Sequence, residues 1–282
     1  MSKARRPWQT GILWLLAVVL IGAFVFATTN LVRWQREIRN AQISQSTTYK
    51  KFSFDPGYII SDEQFFDSQA MTTAEIQSFL DDKGTLCSGS TCIKNAEFDV
   101  EDMDADAECA TRYEAPESRQ ATAAQIISGA AQSCGISPKV LLVLLQKEQH
   151  LVQSATAPSH TQLDAATGLS CPDTADCDAR YKGFFKQVYG AARRFKCYLN
   201  HSSSYHYHWN SLNRIQYSPN VSCGSSDVYI YNKATALLYI YTPYQPNKAA
   251  LESGDGEGDE CSSYGNRNFS IIYNQFFGSP VK

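Results

Sequence analysis

Polar and apolar positions divide the chain into three stretches of different character. The first is an uncharged run of 18 residues, GILWLLAVVLIGAFVFAT, from Gly11 to Thr28. It is close to the minimum that spans a bilayer as a helix. The second, residues 33–57, is polar with few large aliphatic side chains, and reads as a juxtamembrane stalk, helical near the membrane. From Tyr58 the pattern becomes that of a packed domain. IISDEQFF reads as a short extended segment, and MTTAEIQSFLDDKG as a helix capped by Thr72 or Thr73 and stopped by Gly84. Further helices are predicted over Thr122–Cys134, from Ser137-Pro138 to about Val152, and over Phe184–Leu199. Residues 87–118 and 154–178 read as cysteine-bearing loops. After His201 the chain is rich in Tyr, Trp, Asn, Ser and Gly, which predicts short strands and turns with a late helix at 233–241. The expected architecture is mainly α (α+β): a membrane segment over 1–32, a stalk over 33–57 and one domain over 58–282.

Lys3, Arg5 and Arg6 precede the apolar run, so the positive-inside bias keeps them in the cytoplasm and exports everything after about residue 30. An uncleaved anchor is the favoured reading. The alternative is a cleaved signal peptide over residues 1–27, with Val25 and Ala27 at the cleavage site. Export accounts for nine cysteines that show neither a CxxC pair nor a zinc-like cadence. Sequence alone leaves the connectivity open. Nearest-neighbour pairing gives Cys87–Cys92, Cys109–Cys134, Cys171–Cys177 and Cys223–Cys261, and leaves Cys197 as a buried free thiol or, alternatively, an intermolecular bridge. Lys+Arg 25 against Asp+Glu 28 supplies no basic excess for general nucleic-acid binding, and abundant aromatics with low net charge exclude disorder.

The segment Ser137-Pro-Lys-Val-Leu-Leu-Val-Leu-Leu-Gln-Lys-Glu148-Gln-His-Leu-Val152 carries the candidate chemistry. Ser137 suits an N-cap and Pro138 the first helical position. Six consecutive apolar residues, Val140–Leu145, predict a buried central helix. Glu148 shares a stripe with Leu141, Leu144, Leu145, Leu151 and Val152. A carboxyl desolvated there has its pKa raised, the state a general acid requires. The alternative is a carboxylate that bends out to water or pairs with Lys or Arg.

A Glu at the end of a buried helix, followed by a loop with a small-residue-Gly motif and another helix, resembles the lysozyme and lytic-transglycosylase superfamily. More closely, ISPKVLLVLLQKEQHLV, AATGLSCPDTADCDARYKGFFKQVYGAARRFKCYL, CGSSDVYIYNKATALLYIYTPYQPN and CSSYGNRNFSIIYNQFFG are similar to exported actinobacterial hemagglutinin- or glucosaminidase-like cell-wall proteins. With YIISDEQFFDSQAMTTAEIQSFLDDKG, the resemblance covers about 58–282. It implies a lysozyme-like domain, peptidoglycan as partner, and Glu148 as general acid or base on a β-linked N-acetylated glycan. Ala166-Thr167-Gly168-Leu169-Ser170 stands where transglycosylases carry a substrate-holding Gly-Leu-Met-Gln loop; the Met-Gln half is missing, which leaves hydrolysis and transglycosylation both open.

A second carboxylate, if used, comes from Asp164, Asp173, Asp176 or Asp178, with Asp173 after Pro172 preferred. Substrate contacts are expected from Gln146, Gln149 and His150 beside Glu148, from Thr167 and Gly168 in the loop, and from Tyr207, Trp209 and Tyr241 among the C-terminal aromatics. No cofactor and no metal is expected. His206 and His208 lack a third ligand, Asp102, Asp104 and Asp106 lack the glycine and the twelfth-position acid of a calcium loop, and Asp255–Asp259 reads as a solvated turn. The rival to the enzyme is a non-catalytic wall-binding or adhesive module on the same fold. A weaker third reading is a structural envelope protein that works through its anchor and stalk.

Overall fold

A computed structural model describes residues 7–171 and 178–282. It is mostly helical with short strands. Helix α1 (Pro7–Phe52) runs 46 residues without interruption, about 69 Å at 1.5 Å per residue. There is no break between the apolar run and the polar stretch after it. The domain then adds α2 (Asp62–Phe66), α3 (Thr73–Lys83), β1 (Glu97–Asp99), β2 (Gln120–Thr122), α4 (Ala123–Cys134), α5 (Pro138–Gln149), α6 (His160–Asp164) and α7 (Phe184–Asn200). The C-terminal part holds β3 (Ser211–Gln216), β4 (Ser225–Ile230), α8 (Lys233–Tyr241), α9 (Lys248–Glu252) and α10 (Gly265–Phe277). Both sheets are two-stranded and antiparallel, with Phe98 opposite Ala121 and Asn213 opposite Val228.

Local chemistry fixes the helix starts. Thr72 with Glu75, and Thr122 with Gln125, form capping boxes that satisfy orphan N–H groups at α3 and α4. Ser137 departs from expectation: it occupies the N-cap of α5, yet its side chain caps nothing, and its hydroxyl is buried without a partner. Pro138 at the first helical position starts α5 instead. That helix ends at Gln149 rather than Val152, because His150 takes a left-handed conformation at φ 55°. Leu151 and Val152 turn back into the core all the same.

Val140–Leu145 are fully buried, enclosed as α5 packs against α10, α4 and α7. Removing each such side chain from water is worth about 1.5–3 kcal/mol. Two segments depart from the sequence reading. Asp62–Phe66 is helical rather than extended, capped by Ser61. Residues 265–277, expected as strand and turn, form α10. Phe269, Ile272, Tyr273, Phe276 and Phe277 lie at helical spacing and pack on or within the core.

Disulfides join Cys87 to Cys92, Cys109 to Cys134 and Cys223 to Cys261, following nearest-neighbour pairing. The Cys171–Cys177 pairing falls on Cys177, outside the described residues. Cys197 is a free thiol, half-buried rather than buried.

The end of α1 is tied to the domain. The Gln45 amide donates to the Tyr229 carbonyl at 3.1 Å and accepts from the Tyr229 N–H at 2.8 Å, so a side chain completes the exposed edge of β4. Gly57 lies against the same place, where any Cβ would fall 2.1 Å from the Gln45 amide nitrogen. Its carbonyl accepts from Tyr231 N–H at 3.0 Å.

Candidate active site around Glu148

Glu148 stands in the last turn of α5, where the buried helix reaches the surface. Its side chain is 26% exposed, and its Oε1 lies 2.5 Å from Nζ of Lys147, which is itself 7% exposed. The carboxyl is therefore partly solvated and ion-paired, a correction to the apolar burial expected from the stripe. The stripe argument fails at the helix end, where neighbours on the next turn no longer exist to cover the side chain. Lys147 also reaches the hydroxyl of Thr242 at 3.3 Å, at the end of α8 beside the start of α10.

The other wall is the turn Ala165–Ser170. Gly168 has φ +71°, and a Cβ there would lie 3.1 Å from Cδ and Oε2 of Glu148. Only glycine brings the backbone this close to the carboxyl at that φ without strain. The turn is fixed from below by Gln187 of α7, which is fully buried. Its side-chain oxygen accepts from the N–H groups of Thr167 (3.2 Å) and Leu169 (3.1 Å). Its amide donates to the carbonyls of Leu169 (3.0 Å) and Tyr181 (2.9 Å). Sequence reading missed Gln187; the available signal was a lone amide on the apolar face of an amphipathic helix, between Phe184, Phe185, Val188 and Phe195.

The predicted contact residues divide accordingly. Gly168 meets Glu148. Thr167 is fully buried and bonds Gln187, so its side chain builds the turn and does not face a ligand. Tyr241 stacks on Phe195 at 4.9 Å and donates to the Thr167 carbonyl at 2.6 Å. Burial, followed by the nearby Glu148 charge, pushes its phenol well above the usual range, so it is a neutral donor under the turn and not an open sugar platform. Gln146 is buried and accepts from Gln153 N–H at 2.9 Å, which also makes it structural. Gln149 receives the amide of Gln162 on its carbonyl at 3.4 Å. His150 is exposed next to Glu148. Tyr207 packs on the core and donates to the Pro243 carbonyl at 2.9 Å; Trp209 packs on the core as well.

Asp173 and Asp176 lie outside the described residues. Asp178 caps Ala179–Tyr181 and binds the Arg180 guanidinium, whose hydrogen bonds pull its carboxyl down to about 2. It is committed to structure. Asp164 lines a cavity of about 490 Å³ with Phe98, His160 and Lys182, and Glu148 is not part of that lining. The arrangement at Glu148 thus offers one carboxylate able to take or give a proton, beside a backbone turn of fixed shape.

No curated protein and no solved structure matches the chain. The model of one family, described as LasA, N-terminal domain, matches residues 58–282. That span runs from before α2 through α10, and the chain belongs to the LasA N-terminal domain family.

Proposed function

We propose that the protein is exported, held at the membrane by α1, and acts on cell-wall glycan, with Glu148 transferring the proton at the glycosidic oxygen. The observation that carries this is the meeting of Glu148 with the Gly168 turn: a partly exposed carboxyl at the end of a helix whose middle is fully buried, against a loop held by Gln187. Rigid placement is what proton transfer to a bound substrate needs. The family is named for LasA, a staphylolytic protease, which supports a wall-directed role at a coarser level. Lys147 Nζ lies 2.5 Å from Glu148 Oε1 and 3.3 Å from the Thr242 hydroxyl, so a substrate oxygen approaching Glu148 competes with the ammonium for the carboxyl.

The Lys147 ion pair also favours a second reading, a wall-binding module without turnover, because it gives the carboxylate a structural partner. Mass spectrometry of purified peptidoglycan incubated with the full chain, beside Glu148→Gln, separates the two. Soluble muropeptides released by the native protein and absent with the variant are expected, and the anhydro or reducing end names the reaction. Equal sedimentation of both proteins with the wall, with no release by either, overturns the enzyme reading and favours the binding module.

A further inference from the structure

Independently of Glu148, a second cluster of reactive side chains lies at the far end of α7. Cys197 and His201 are four residues apart, so they project from the same face as the helix ends. Glu108 meets them from the loop after β1. The thiol sulfur, an imidazole nitrogen and a carboxylate oxygen all lie within 4.8 Å of one another. We propose that Glu108, Cys197 and His201 form a binding site for a divalent metal ion of the zinc class.

Three features argue for a built site. The carboxylate is held in place: Arg193 donates to Glu108 Oε2 at 2.8 Å, while Oε1 faces His201 Nε2 at 3.5 Å. One oxygen is thus oriented by a neighbour and the other points at the second donor, the usual arrangement for a ligating carboxylate. The loop that carries Glu108 is fixed as well. Asp106 accepts from the N–H groups of Glu108 (2.9 Å) and Cys109 (2.8 Å). Cys109 is tied to Cys134 by a disulfide, and Asn200 donates to the Ala107 carbonyl at 2.9 Å.

The charges also balance. Arg193 is paired with Asp106 at 2.7 Å, so a thiolate and the Glu108 carboxylate match a dication, with the thiol proton released to solvent. Thiolate with imidazole selects zinc-like ions over calcium or magnesium, which prefer all-oxygen sets. Tetrahedral zinc places its donors about 3.5 Å apart. His201 Nε2 and Glu108 Oε1 already stand 3.5 Å apart, and the thiol sulfur lies within 4.8 Å of both. Three protein ligands leave a fourth position for water.

Cobalt(II) titration of the full chain in detergent tests the site, with alkylation of the Cys197 thiol followed with and without zinc. One equivalent of cobalt is expected to give a thiolate-to-metal charge-transfer band, and zinc to slow alkylation. His201→Ala and Glu108→Gln should each weaken cobalt binding by about 10–100-fold or more. His201→Ala alters an exposed side chain, and an unchanged thermal melt confirms that it remains folded. A band that survives Cys197→Ser, alkylation indifferent to zinc, or cobalt affinity unchanged in folded His201→Ala each overturns the proposal.

Discussion

The run Ile12–Phe26 in α1 and the run Val140–Leu145 in α5 are both apolar on every side, yet their surroundings are opposite. In α1, Trp14, Leu16, Leu20 and Phe24 expose between 54% and 74% of their surface; in α5 all six residues are fully buried. The difference follows from length and neighbours. Six residues rise about 9 Å, far short of a bilayer, and α4, α7 and α10 enclose the middle of α5, which reaches the surface at its C-terminal end from Lys147. The run in α1 is long and apolar enough to cross a membrane. At its end Thr28 and Thr29 donate to the carbonyls of Val25 and Phe26, the local back-bonding open to hydroxyls within a helix. An apolar run records that water is excluded; it does not record what excludes it.

Alkali should separate the two helices most strongly. The Tyr113 and Tyr198 phenols are held near 12 by burial, against about 10 in an unfolded chain. The unfolded state therefore ionises first. Stability from these groups is intact below pH 10 and is lost as pH rises towards 12. Residues Gly11–Thr28 carry no titratable side chain. Circular dichroism in detergent should show the domain unfolding between pH 10 and 12 while the first half of α1 stays helical; loss of both together breaks the comparison.

Truncation in the two runs should differ next. Leu142→Ala in α5 is expected to cost about 2–5 kcal/mol through lost burial and a cavity. Leu20→Ala in α1 should change domain stability by less than about 0.5 kcal/mol. Denaturant melts in detergent measure both, and equal effects would mean that the exposed run packs on the domain.

The smallest effect sharpens the point where α1 passes from one surrounding to the other. Gln45→Ala leaves the N–H and carbonyl of Tyr229 without their partner and should cost about 1–3 kcal/mol. The exposed neighbour Ser46→Ala should cost nothing measurable. If the two variants melt alike, the edge of β4 is satisfied by water and α1 is not coupled to the domain.

The legible parts of this chain were those governed by local chemistry. A capping threonine marked α3, apolar periodicity marked α4, Pro138 marked the start of α5, and sequence proximity gave the three described disulfides. Glu148 was readable from helix periodicity, whereas Gly168 was singled out only by the resemblance to the lysozyme and lytic-transglycosylase superfamily. Helix α10 was obscured by Asn and aromatic residues of low helix propensity, which only packing against α5 overrides.

By itself, the sequence determined which segments are apolar and where α3, α4, α5, α7 and α8 begin, because hydrophobic periodicity and capping act within a few residues. Tertiary structure alone decided that Glu148 meets Lys147 at a surface instead of lying in the core, and that Gln187 holds the turn beneath it. It also brought Glu108 to Cys197 and His201 across 89 positions of chain. Exposure at a helix end, a buried amide's partners and a three-donor cluster depend on which distant segments arrive there, and that is set by the packing of the whole domain.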